Sequence, residues 1–166
     1  MKITNDQLLL KKIKRLLTLF IFLLLLSGLT AFPLESELFL LVKWSVHPPS
    51  FIKEWILSVH NALHETNIRY PFMAYGTDWL AFAHIVLAVV FIGPLRDPVK
   101  NIWVIQFGMI ACVMVFPLAL ICGLIRGIPF YWQLIDCSFG VFGFIPLYLC
   151  RKYILQMEKI NLKHNV

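Results

Sequence analysis

Apolar residues fall into four long runs, and each run is close to the ~20 residues needed to cross a bilayer. The first is LLTLFIFLLLLSGLTAF over 16–32, which follows a polar stretch holding Lys11, Lys12, Lys14 and Arg15. The others are predicted over 77–94, 102–125 and 130–150, stopping at Pro94, near Arg126 and at Arg151–Lys152 respectively. Pro117 lies inside the third run and is expected to kink it, which neighbouring groups tolerate by satisfying the freed carbonyl. Trp79, Trp103, Tyr131, Trp132, Tyr148 and Tyr153 stand near run ends, where aromatic side chains anchor at the interface.

Between the first and second runs the pattern changes. Over 33–76, Glu35, Glu37, Lys43, Lys53, Glu54, Glu65 and Arg69 are scattered among apolar residues, and Pro48–Pro49 interrupts them. Two short amphipathic helices are expected, over 36–46 and 50–66, with Ser36 and Ser50 as N-caps. Ile52, Trp55, Ile56, Val59 and Leu63 form one apolar stripe on the second. Such a helix lies in the interface or roofs a bundle rather than spanning.

The fold class is therefore an all-α integral membrane protein. It is expected to be one polytopic domain over 1–166, with four transmembrane helices and an insertion between spans 1 and 2. Composition agrees: 60% of the 166 residues are hydrophobic and 14% charged, with a mean hydropathy of +0.78. A soluble domain carries about 25% charged residues. A basic stretch before a leucine-rich run also resembles a signal peptide. Cleavage after Ala31 would place Leu29 where a small residue is needed, which favours an uncleaved span.

The formal net charge of +6 raises the possibility of nucleic acid, but the charges sit at loops and ends, as a topology signal does. With the N-terminus inside, the inner segments hold Lys2, Lys11, Lys12, Lys14, Arg15, Arg96, Lys100, Arg151, Lys152, Lys159 and Lys163. Only Lys43, Lys53, Arg69 and Arg126 fall outside. Both termini are thus expected in the cytoplasm and residues 33–76 on the outer face, in a bacterial inner membrane. Cys112, Cys122, Cys137 and Cys150 lie in apolar runs without a CxxC and read as small core residues.

Three spans carry stripes of small residues with polar residues towards the outer end: Thr77, Ala81, His84 and Ala88; Gly108, Cys112, Val115, Ala119, Cys122 and Arg126; Gln133, Asp136, Gly140 and Gly143. Small residues let helices approach in lipid. His84 lies roughly 10 Å, and Asp136 roughly 9 Å, below the outer ends of their spans at 1.5 Å per residue. An ionisable group at that depth needs a partner. His84 and Asp136 are each other's candidates and the candidate catalytic pair. Asp78, Arg126, Gln133 and Trp132 are the candidate ligand-binding residues of a polar pocket in the outer half.

His60 and His64 stand one helical turn apart, followed by Glu65, and could hold a divalent metal. A third ligand would come from His47, Asp78 or His84. HNALHE lacks the glutamate between the histidines that serves as base in HExxH, and the chain lacks the histidine boxes of membrane di-iron oxygenases. The expected role is a membrane binding or accessory protein for an amphiphilic small molecule or for other membrane subunits. The alternatives are a membrane-embedded enzyme acting on a lipid-like substrate and a transporter subunit.

Overall fold

The computed structural model describes residues 5–44 and 49–164, and every element among them is helical. Four helical stretches are long and apolar enough to cross a membrane: Asp6–Ala31, Pro71–Arg96, Ile102–Ile125 and Phe130–Ile160. The chain divides into two compact units, one of residues 1–22 and 89–166 and the other of residues 23–88.

In the first unit, α1 (Asn5–Ala31) contributes its N-terminal half. The helix starts eleven residues before the predicted span because its polar beginning is amphipathic. Leu9, Ile13, Leu17 and Phe20 recur at steps of four, four and three, and all are buried. The last residues of α4 (Tyr75–Val90) lead into α5 (Ile92–Arg96). Pro94 therefore does not end the second span: it falls in the first turn of α5, where a helix has no use for the missing N–H. Asp97–Asn101 then turns the chain. The Asn101 side-chain amide donates to the carbonyls of Asp97 (2.9 Å) and Gly93 (3.3 Å), and the Lys100 N–H donates to Asp97 Oδ1 (3.1 Å). That bond from Lys100 holds the Asp97 carboxyl below its ordinary value.

The third span is α6 (Ile102–Pro117), a π-helical stretch over Leu118–Cys122, and the short α7 (Gly123–Ile125). The expected disturbance at Pro117 thus takes the form of a π turn, which commonly accompanies such a break. α8 (Phe130–His164) is one helix of 35 residues. It runs on past Arg151–Lys152, because Leu147, Cys150, Ile154 and Met157 continue one buried stripe. α6 packs along α8. Phe91 is 2% exposed and lies 4.7 Å, centroid to centroid, from Phe20. It fits because Gly108 has no side chain: a Cβ there would come within 2.6 Å of the Phe91 ring. Many large apolar side chains are exposed, Phe139 (67%) and Phe142 (69%) among them. Exposed apolar side chains of this size suit contact with lipid.

In the second unit, the end of α1 meets α4 at Gly28. There a Cβ would fall 2.9 Å from the Ala81 carbonyl and 3.2 Å from His84 Cβ. α2 (Leu34–Trp44) begins two residues earlier than expected, since the Pro33 carbonyl accepts the Glu37 N–H at 2.9 Å. Ser36 is consequently inside the helix and not its cap. α3 (Ser50–Arg69) has Pro49 at its N-cap with no side-chain bond, so Ser50 is the first helical residue instead. α3 also runs three residues further than expected and stops before Pro71, which opens a 3-10 turn over Pro71–Ala74. The residue before a proline is driven out of the helical region. Ile56 from the predicted apolar stripe is buried, as are Leu38 of α2 and Ala81 and Ala88 of α4.

Candidate functional site

The turn between α7 and α8 is set by Gly127, whose φ of +68° is a left-handed conformation open to glycine. The Ile128 N–H donates to the Gly123 carbonyl (2.9 Å) and the Gly127 N–H to that of Leu124 (3.3 Å). Together these two bonds make the glycine-closed C-terminus of a helix. Gln133, 2% exposed, folds back over this turn: its Nε2 donates to the Ile128 carbonyl at 2.7 Å. Its amide stands where a side chain on Gly123 would be, 2.6 Å from a Cβ built there. Gln133 Oε1 is buried and has no hydrogen-bond donor among the described residues.

One turn further along α8, Asp136 is half-buried, and its carboxylate forms no hydrogen bond or ion pair among the described residues. Gly140, on the same face, is buried against the Cys112 carbonyl, and Gly143, half-buried, lies against Cys112 Sγ. The stripe on α8 thus faces the interior of its unit. Arg126 is exposed at the C-cap of α7, and Trp132 is half-buried in the first turn of α8.

His84 belongs to the other unit. Its Nδ1 donates to the Leu80 carbonyl of its own helix at 2.8 Å. Thr77 Oγ1 donates likewise to Ala74, at 2.7 Å. Asp78 is half-buried in the first turn of α4, where its charge suits the helix dipole.

The histidine pair of α3 is built differently from the expected metal set. The His60 and His64 rings stack nearly parallel, 6.1 Å apart and 5° off. The carboxylate that His64 engages is Glu35 of α2, whose Oε1 accepts from Nδ1 at 2.5 Å. Glu35 Oε2 accepts from Asn67 Nδ2 at 2.7 Å. Glu65 lies beside Arg69 instead, at 3.1 Å, with both side chains exposed. The bonds from His64 and then Asn67 hold the Glu35 carboxyl below its ordinary value, against the opposing effect of desolvation. One carboxylate therefore ties α2 to α3 at two points, with the Nδ1–H of His64 and the Asn67 amide as donors. Among the described residues, no three His, Cys, Asp or Glu side chains are grouped to hold a metal ion. His47 lies outside the described residues.

Comparison with protein-family models, curated proteins and solved structures finds no match to this chain. The site stands on its geometry. Sequence reasoning missed Glu35, 29 residues from His64, whose only signal is an acidic residue at the start of a helix that folds back on its neighbour. It also missed Gly28, hidden in a leucine run.

Proposed function

We propose that this chain is a binding or accessory protein of a bacterial inner membrane. Both termini lie in the cytoplasm, and an amphiphilic ligand is held in the outer half of the bundle. The four apolar helices support the membrane setting, and the distribution of Lys and Arg supports the orientation.

The observation that carries the ligand reading is the pair of acceptors on one face of α8. Among the described residues, Gln133 Oε1 is buried without a donor, and the Asp136 carboxylate one turn away forms no bond. A buried acceptor left unsatisfied costs ~1–3 kcal/mol, and a carboxylate inside a span requires a partner. Two acceptors without donors fit a ligand headgroup rich in donors, an ammonium or a hydroxyl, with its tail in lipid. Binding is favoured over turnover by how other polar groups of the spans are used. His84, Thr77 and Ser138 spend their hydrogen bonds on carbonyls of their own segments. An acid–base or nucleophilic site needs such groups free and aimed at one another.

The test is photo-crosslinking of the purified protein in nanodiscs with a diazirine-bearing long-chain amino alcohol. Labelling is expected near Leu134–Cys137 and is expected to fall about tenfold in Asp136→Asn, since a charge-assisted hydrogen bond is worth ~1.5–3 kcal/mol. Labelling indifferent to that substitution sinks the ligand reading. A probe recovered chemically altered would replace binding with catalysis.

A further inference from the structure

The inner end of the first unit holds a second polar feature, unrelated to the acceptors above. Leu9 and Lys12 of α1 and Tyr153, Gln156, Lys159 and Ile160 of α8 line an open cavity of about 450 Å³. Its position follows from the sequence. Lys12 precedes the apolar run that starts at Leu16, and Tyr153–Ile160 follow the charged pair Arg151–Lys152 that closes the last run. The cavity thus sits at the level where the hydrocarbon core gives way to headgroups.

Its polar groups are all capable of donating, and none is spent on a hydrogen bond or ion pair among the described residues. Lys12 Nζ lies 5.7 Å from the centre of the Tyr153 ring, which orients the ammonium without using its three N–H bonds. Lys12 and Lys159 form no ion pair among the described residues. The Gln156 amide and the Tyr153 hydroxyl have no hydrogen-bond partner among them either. Asp6 and Glu158, the two carboxylates on these helix segments, do not line the cavity. Lys11, Lys14, Arg15, Arg151 and Lys152 lie close to its lining residues in sequence and add positive charge to the same helix segments.

Two unpaired ammonium groups, an amide and a phenol call for a compact anion with several acceptor oxygens. Leu9, 7% exposed, and Ile160 supply apolar wall beside it. Basic pockets between transmembrane helices on the cytoplasmic side take the headgroups of anionic lipids. We propose that this cavity is a phosphate-binding site. Lys12 and Lys159 neutralise the charge, Tyr153 and Gln156 donate to the remaining oxygens, and Leu9 and Ile160 border the start of an acyl chain.

Full-length protein released from nanodiscs of phosphatidylcholine with phosphatidylglycerol would be weighed by native mass spectrometry, and inorganic phosphate would be titrated calorimetrically in a separate arm. Preferential retention of phosphatidylglycerol is expected. It should drop roughly thirtyfold in Lys12→Gln/Lys159→Gln, as each basic residue near a bilayer surface contributes a factor of about five. Lys12→Arg/Lys159→Arg should keep most of it. Lys11→Gln/Lys152→Gln, with the same change in net charge on side chains that do not line the cavity, should cost clearly less retention, only the part that general surface charge supplies. Binding of inorganic phosphate with no lipid retained assigns the same chemistry to a free anion. Equal losses in the two Gln pairs, or neither ligand bound, overturn the site.

Discussion

Gly28 of α1 and Ala81 of α4 meet so closely that a methyl group on the glycine would stand 2.9 Å from the alanine's backbone carbonyl. No rotamer can relieve that contact, because the opposing atom is main chain. Gly28→Ala is therefore expected to destabilise the protein by about 1–3 kcal/mol, the range for overpacking. Gly76→Ala has nothing within 4 Å of its new Cβ and should leave the melting temperature in detergent unchanged or slightly raised. Equal shifts for the two would show that α1 and α4 do not pack as described.

Gly140 gives the parallel case in the other unit. A Cβ there would lie 2.6 Å from the Cys112 carbonyl, so Gly140→Leu should separate α8 from α6 and lower the melting temperature by several degrees. Val141 is 44% exposed, and Val141→Leu should be mild. A large effect at Val141 with a small one at Gly140 would turn the face of α8 around.

The Glu35 tie predicts an acid-sensitive hairpin. The folded carboxyl lies below its ordinary value of 4.5, so its contribution to stability is present above that value. It is lost as pH falls from 4.5 through the lowered folded value. Hydrogen exchange of α2 and α3 should accelerate across that window. Glu35→Gln should already exchange fast at neutral pH and show a much flatter response. Glu65→Gln should behave as wild type, since Glu65 faces Arg69.

Orientation can be read by labelling with a membrane-impermeant thiol reagent in intact cells. In a chain with its four cysteines changed to alanine, Ile68→Cys should react and Lys100→Cys should not, until the cells are opened. Ile68 is 68% exposed and Lys100 is exposed too, so access across the membrane decides the result. The reverse pattern would invert the topology.

The spans were legible because length and apolarity alone specify them, and Ile102–Ile125 was read to the residue. Where the helices end was less legible. Arg151 and Lys152 end the hydrocarbon segment but not the helix, since nothing about a charge stops backbone hydrogen bonding. The stripe from Gly108 to Arg126 was drawn at α-helical spacing, and the π turn after Pro117 puts it out of phase. Gly108 is buried and Cys112 half-buried, whereas Cys122 and Arg126 are exposed.

At the candidate site, Gln133 and Asp136 were visible as polar residues in an apolar run. Glu35 was not, because its bond to His64 exists only once α2 folds back on α3. Proximity in sequence pointed to Glu65. A helix places that residue one position round from His64, whereas Arg69, one turn on, is within its reach.

The unbroken course of α8 has a consequence for how the molecule meets its bilayer. From Asp136 to Gln156 the helix advances about 30 Å at 1.5 Å per residue, from inside the last apolar run to beyond the charged pair Arg151–Lys152 that closes it. In the proposed orientation this one helix carries an acceptor towards the outer leaflet and donors towards the inner one, with no loop between them. A thinner membrane cannot shorten that spacing. It would have to be met by a tilt of α8, by a kink at Pro146 or by local thickening of the bilayer.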